Sequence, residues 1–189
     1  MTKKMLLLFY MCLCLTLSGA SAYAFRLPDT GQHKCYDNAG NEIACPGEGQ
    51  ALHGQDAQYQ GAEPSYRDNG NGTVTDLNTG LVWQQGDDHN NVTRTWQGAC
   101  DYCDALNLGG KTDWRLPTKR ELASLPIYGV FDPSINTSFF PGCRSSHYWS
   151  SSTSALSPED AWSVLFSNGY VLDYLKTNDY YVRCVRSGP

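Results

Sequence analysis

Apolar and polar residues alternate most clearly in the last third of the chain. Ala161-Trp162-Ser163-Val164-Leu165-Phe166 and Tyr170-Val171-Leu172-Asp173-Tyr174 flank Asn168-Gly169, which predicts two strands joined by a tight hairpin. Tyr148-Trp149-Ser150 before them and Tyr180 to Val185 after them read as further strands. Because side chains alternate across a strand, Tyr170, Leu172 and Tyr174 share one face, with Val171 and Asp173 on the other. Upstream, Asn69-Gly70 and Asn71-Gly72 lead into Thr73–Asp76, and Asn78-Thr79-Gly80 turns the chain into Leu81–Gln84, a second antiparallel pair. Between these regions the period becomes helical. Trp96, Ala99, Cys100, Cys103 and Leu106 fall on one face of a helix that starts near Thr95 and stops at Gly109-Gly110. Thr118 to Glu121 forms a capping box ahead of Leu122, Ala123 and Leu125, and Pro126 ends this second, short helix. The expected class is α+β, two short helices packed on small antiparallel sheets.

The N-terminus changes the picture of where this domain works. Lys3 and Lys4 precede an apolar run from Met5 to Leu17, followed by Ala22-Tyr23-Ala24, which reads as a signal peptide over residues 1–24 cleaved after Ala24. The run is shorter than the roughly 20 residues of a membrane span. Cys12 and Cys14 lack the small residues that precede a lipidated cysteine. A secreted, periplasmic or cell-envelope location is expected. Residues 25–65 form a Cys-containing extension whose part from Pro46 to Ser65 is polar enough to read as an extended linker, and 66–187 form the domain. Loss of Lys3 and Lys4 leaves 12 basic against 19 acidic side chains, a formal charge of −7. With no basic run, nucleic acid is not an expected partner.

Six cysteines remain after cleavage, and an even count in an exported chain predicts a disulfide framework. Cys35 and Cys45 flank the turn-forming Asp37-Asn38-Ala39-Gly40-Asn41 and should close a local loop, worth roughly 3 kcal/mol by loop entropy. The residues alone leave the pairing of Cys100, Cys103, Cys143 and Cys184 open. A Cys100–Cys103 bridge would make a CxxC redox site, but such sites draw reactivity from a helix N-terminus and Cys100 lies about a turn inside.

Candidate chemistry concentrates in the aromatic C-terminal strands. Tyr148, Trp149, Trp162, Tyr170, Tyr174, Tyr180 and Tyr181, with Arg183 and the neighbouring Asn168, Asp173, Asn178 and Asp179, would offer stacking and hydrogen bonds suited to a glycan or peptide. Trp114 and Arg115 read instead as a core filler and its brace. Asp87, Asp88 and His89 are adjacent and match no calcium-loop spacing. The four histidines, His33, His53, His89 and His147, show no metal-ligand spacing. His147 lies among Ser145, Ser146 and Ser150, but neighbours on one strand end do not make a triad, and no Gly-x-Ser-x-Gly elbow occurs. The chain is expected to be non-catalytic, with no metal or cofactor.

The run Gly72-Thr73-Val74-Thr75-Asp76, Thr79-Gly80-Leu81-Val82-Trp83, Tyr102-Cys103, Asp113-Trp114-Arg115-Leu116-Pro117-Thr118, Glu121-Leu122, Tyr148-Trp149-Ser150-Ser151 and Val182-Arg183-Cys184-Val185-Arg186 resembles the DUF1566 or Lcl C-terminal domain family over about residues 66–187. Its Trp-Arg-Leu-Pro-Thr and terminal motifs are distantly similar to the sulfatase-modifying-factor group, which implies a C-type-lectin-like fold. That fold implies a bridge from the first helix to the last strand, Cys103 with Cys184, leaving Cys100 with Cys143. The family takes its name from an adhesin whose collagen-like stalk it caps. The resemblance therefore implies an exported bacterial module for adhesion or surface recognition of glycan or protein ligands. It adds glycosaminoglycans if Arg94, Lys111, Arg115, Arg144, Arg183 and Arg186 cluster. The alternatives are a structural or interaction domain of an envelope assembly without a small ligand, and an envelope thiol enzyme.

Overall fold

The computed structural model describes residues 28–59, 61–86 and 92–188. The signal peptide read at 1–24 and the Asp87-Asp88-His89 segment considered for metal lie outside the described residues. β1 (Cys35–Tyr36) and β2 (Glu42–Ile43) form a small hairpin closed by the Cys35–Cys45 disulfide. Asp37 shapes its turn, Oδ1 accepting from the Ala39 and Asn41 amides. The stretch read as an extended linker is folded against this hairpin. A 3-10 turn spans Asp56–Gln58, and the Gln55 side-chain amide takes both the N–H and the C=O of Tyr36. Glutamine amides here supply the partners that a polar segment cannot obtain by apolar burial.

Nine further elements among the described residues make up two main sheets and two helices. β3 (Tyr66–Asp68), β4 (Thr73–Asp76), β5 (Val82–Gln84) and β9 (Val185–Arg186) make a four-stranded antiparallel sheet in the order β3-β4-β5-β9. β6 (His147–Thr153), β7 (Asp160–Leu165) and β8 (Tyr170–Leu175) make a three-stranded sheet in chain order. Gly169, at φ 83°, turns β7 into β8, and a Cβ there would meet Tyr128 at 2.7 Å. α1 (Trp96–Asp104) begins at Thr95, whose hydroxyl accepts from the Gly98 amide, and α2 (Lys119–Leu122) begins with the reciprocal Thr118–Glu121 capping box.

The expected continuous strand from Tyr180 to Val185 is not formed. Tyr180 bridges Arg94, Tyr181 bridges Tyr148, and only Val185–Arg186 joins a ladder. Each stretch of this segment meets a different element, so no single partner can extend the pairing. β3 is an additional strand, recruited by β4.

Two apolar clusters hold the sheets together. Tyr66, Val74, Trp83, Leu122, Leu125, Phe140, Tyr148, Val164, Phe166 and Val185 form the first. Ala99, Cys103, Trp114, Leu116, Trp149, Ala161, Val182 and Cys184 form the second. Strand alternation lets β6 serve both, sending Tyr148 into one and Trp149 into the other. The Cys103–Cys184 disulfide staples α1 to the C-terminal segment across 81 residues. The expected Cys100–Cys143 bridge is absent, and both thiols are free. The reason is placement: Cys100 packs beside the second cluster, whereas Cys143 is buried in the first. Among the described residues no helix is long and apolar enough to cross a membrane.

Candidate functional site

The aromatic residues singled out from the sequence do not form one surface. Tyr148 and Trp149 are fully buried, with the Trp149 indole N–H donating to the Arg94 carbonyl at 2.9 Å. Arg183 is also 0% exposed, which removes it as a residue that could meet a ligand from solvent. Its Nη1 donates to the Gln84 and Gln85 carbonyls at 2.8 and 2.6 Å, and its guanidinium lies over the Phe140 and Tyr148 rings. Trp162 is half-buried and carries Lys119 over its ring. Tyr174 and Tyr180 are half-buried against His147, with ring centroids 4.9 and 4.8 Å away, and Tyr170 is 61% exposed.

His147 Nδ1 lies 3.1 Å from Ser163 Oγ, which also meets the Leu172 carbonyl at 3.0 Å, and burial holds the His147 pKa below its ordinary value.

Converging polar and cationic groups occur on the four-stranded sheet. One register row crosses it from edge to edge: Arg67 opposite Thr75, Thr75 opposite Val82, Val82 opposite Arg186. A groove of about 280 Å³ runs there, lined by these residues with Asn69, Asn71, Thr73, Gly109, Lys111 and Trp114. Its floor is ordered by a side-chain network. Asn69 Nδ2 donates to both Thr73 and Thr75 hydroxyls, and Thr73 Oγ1 donates to Asn71 Oδ1 at 2.7 Å. An adjoining hollow of about 420 Å³ shares Arg67 and Thr75 and ends at Ser187 and Gly188.

One wall of the groove is built by Gly109, Lys111 and Trp114, in the turn after α1 and the start of the Trp-Arg-Leu-Pro-Thr segment. Trp114 is buried, and its indole N–H donates to the Leu108 and Lys111 carbonyls, pinning the turn that presents Lys111. Gly109 lets that turn approach, since a Cβ there would meet Asn71 Nδ2 at 2.9 Å and its φ is +61°. Arg186 is held by Asp113 through Nε at 2.8 Å and Nη2 at 3.1 Å, and it keeps the Asp113 carboxyl below its ordinary pKa. Arg67 and Lys111 have no ion pair among the described residues. Arg115 faces elsewhere, bidentate to Glu121 at 2.8 and 2.6 Å.

The groove was missed in the sequence because Arg67, Asn69 and Asn71 lie in a turn-rich stretch that reads as a connection. Their convergence with Lys111 and Arg186 requires the last strand to pair with β5. The period-2 alternation of Thr73 and Thr75 was the available signal.

A comparison with curated proteins returns no match. A family model does match, covering residues 72–186, from the turn before β4 to the end of β9. This span holds β4 to β9, both helices, the Cys103–Cys184 disulfide and, of the groove, Thr73, Thr75, Lys111, Trp114 and Arg186, while Arg67, Asn69 and Asn71 precede it, and the chain belongs to the Lcl C-terminal domain family.

Proposed function

We propose that this chain is an exported, non-catalytic binding module of lectin-like fold that recognises a short acidic, hydroxyl-rich ligand at the cell surface, as in adhesion. The observation that carries the reading is the groove, where Arg67, Lys111 and Arg186 surround a floor of threonine and asparagine side chains. Guanidinium and ammonium groups fit carboxylate or sulfate, and the floor amides and hydroxyls fit sugar hydroxyls. Of the six cations whose clustering would favour polyanions, Lys111 and Arg186 meet here, Arg186 already engaged by Asp113, and Arg67 joins them, while Arg183 is buried and Arg115 is paired with Glu121. With a mature charge of −7, this local patch suits a short acidic stretch rather than a long polyanion. The Lcl family membership supports an extracellular setting, and the sequence of residues 1–24 supplies the export signal.

Titration of the secreted protein with acidic and neutral oligosaccharides tests this. Acidic ligands should bind, weaken with salt, and lose about tenfold in affinity on Arg67→Ala or Lys111→Ala. Equal binding by both variants, or silence towards every acidic glycan, refutes the groove. A stable protein complex without glycan binding would favour the interaction-domain alternative.

A further inference from the structure

We propose that Cys100 is the third member of a thiol–disulfide relay with Cys103 and Cys184, giving the domain two disulfide registers: α1 tied to the C-terminal segment, or α1 tied to itself. Three observations meet here. Cys100 and Cys103 are three residues apart in α1 and pack against the same apolar cluster as Cys184. Residues at this spacing on a helix are face neighbours whose α-carbons lie inside the range a disulfide spans, while their Cβ atoms, about 5–6 Å apart, must close to about 4 Å by a local adjustment of the α1 backbone as the bond forms. Cys100 is a free thiol, half-buried, and it borders an open hollow of about 310 Å³ with Asp104, Arg115, Leu116, Thr118 and Ser151. The remaining free cysteine, Cys143, lies in the other cluster and is no party to the exchange.

The step balances without an external oxidant. The Cys100 thiol loses its proton, and the thiolate attacks Cys103 Sγ; the Cys100–Cys103 bond forms as the Cys103–Cys184 bond breaks. Cys184 leaves as thiolate and takes up a proton. The released segment stays docked, because the Cys184 amide still donates to Gln84 Oε1 and its carbonyl still accepts from the Gln84 amide. Burial, and then Asp104 and Asp101 on the same helix, hold the Cys100 thiol pKa above its ordinary value; Lys176 acts in the opposite direction, and Arg115 faces the hollow. The exchange should therefore be slow near neutrality and accelerate about tenfold per pH unit as the thiolate population grows. It does not depend on what the groove binds.

The test is a time course of the folded protein at pH 7 to 9, quenched in acid, alkylated with N-ethylmaleimide and mapped without reduction. A Cys100–Cys103 bridge with an alkylated Cys184 should accumulate, faster at higher pH, in wild type and in Cys143→Ser, and be absent in Cys100→Ser. An intact Cys103–Cys184 bridge at every time and pH overturns the relay. So does equal labelling of Cys184 in Cys100→Ser. If that variant fails to fold, Cys100→Ala takes its place, and the wild-type time course decides alone.

Discussion

Arg183 sits where a positive charge is costly, and its surroundings account for its tolerance there. Its Nη1 caps the Gln84 and Gln85 carbonyls at the end of β5, and the aromatic faces of Phe140 and Tyr148 receive the rest of the ion. Nε and Nη2 find no acceptor among the described residues. Arg183→Ala should lower stability by about 3 kcal/mol or more in urea unfolding, since it leaves buried carbonyls unpaired and a void beside Phe140. Glu121 makes a second point about buried charge. Burial alone would raise its carboxyl pKa, but Arg115 and the Thr118 amide and hydroxyl outweigh that and hold it below the ordinary value. A lowered carboxylate pKa stabilises the fold above the unfolded value, near 4.5, and the benefit is lost as pH falls through the folded one. Glu121→Gln should therefore flatten the acid limb of the stability–pH curve while lowering stability at pH 7. His147 runs the other way in charge but not in sign: the unfolded chain protonates first, so stability falls as pH drops below about 6.5, and His147→Phe should remove that slope. The roles of Trp114 and Arg115 as core filler and brace were legible from residue type. Arg183's burial was not, because Val182 and Val185 do not alternate with it cleanly.

Helices this short do not stand on their own propensity. α2 has four residues, fewer than cooperative helix formation tolerates in isolation, so its ends decide its existence. Its capping box was readable in Thr118 and Glu121, as was the α1 start at Thr95. Strand pairing was less readable: alternation in residues 161–174 located β7 and β8, but it could not reveal that residues 180–186 pass from Arg94 to Tyr148 to β5. The Cys103–Cys184 disulfide holds this segment where ladder hydrogen bonds are sparse. The Cys103→Ser, Cys184→Ser double variant should lose about 4 kcal/mol in denaturant unfolding, as expected for a loop of this length. Smaller losses would mean that Gln84 and Arg115, which bond the backbone of residues 184 and 185, already position the segment.

Neither apolar cluster includes a residue before Tyr66, so the N-terminal hairpin is a satellite of the domain. The N-terminal segment is attached through bonds such as the Tyr128 amide to the Thr30 carbonyl and the Gln32 side-chain amide to the Tyr128 carbonyl. Removing residues 1–62 should cost only about 1–2 kcal/mol and leave the circular-dichroism spectrum of the remaining domain native-like. The division into extension and domain was visible in composition, whereas the groove depended on contacts between residues more than a hundred positions apart. Its row from Arg67 through Thr75 and Val82 to Arg186 also sets a length. Three inter-strand steps separate the two arginine α-carbons by roughly 14 Å, and with Arg186 held by Asp113 the sheet fixes where one end of this cation row stands. The sheet thus acts as a ruler, and selectivity should follow the distance between acidic groups along a ligand as much as their number.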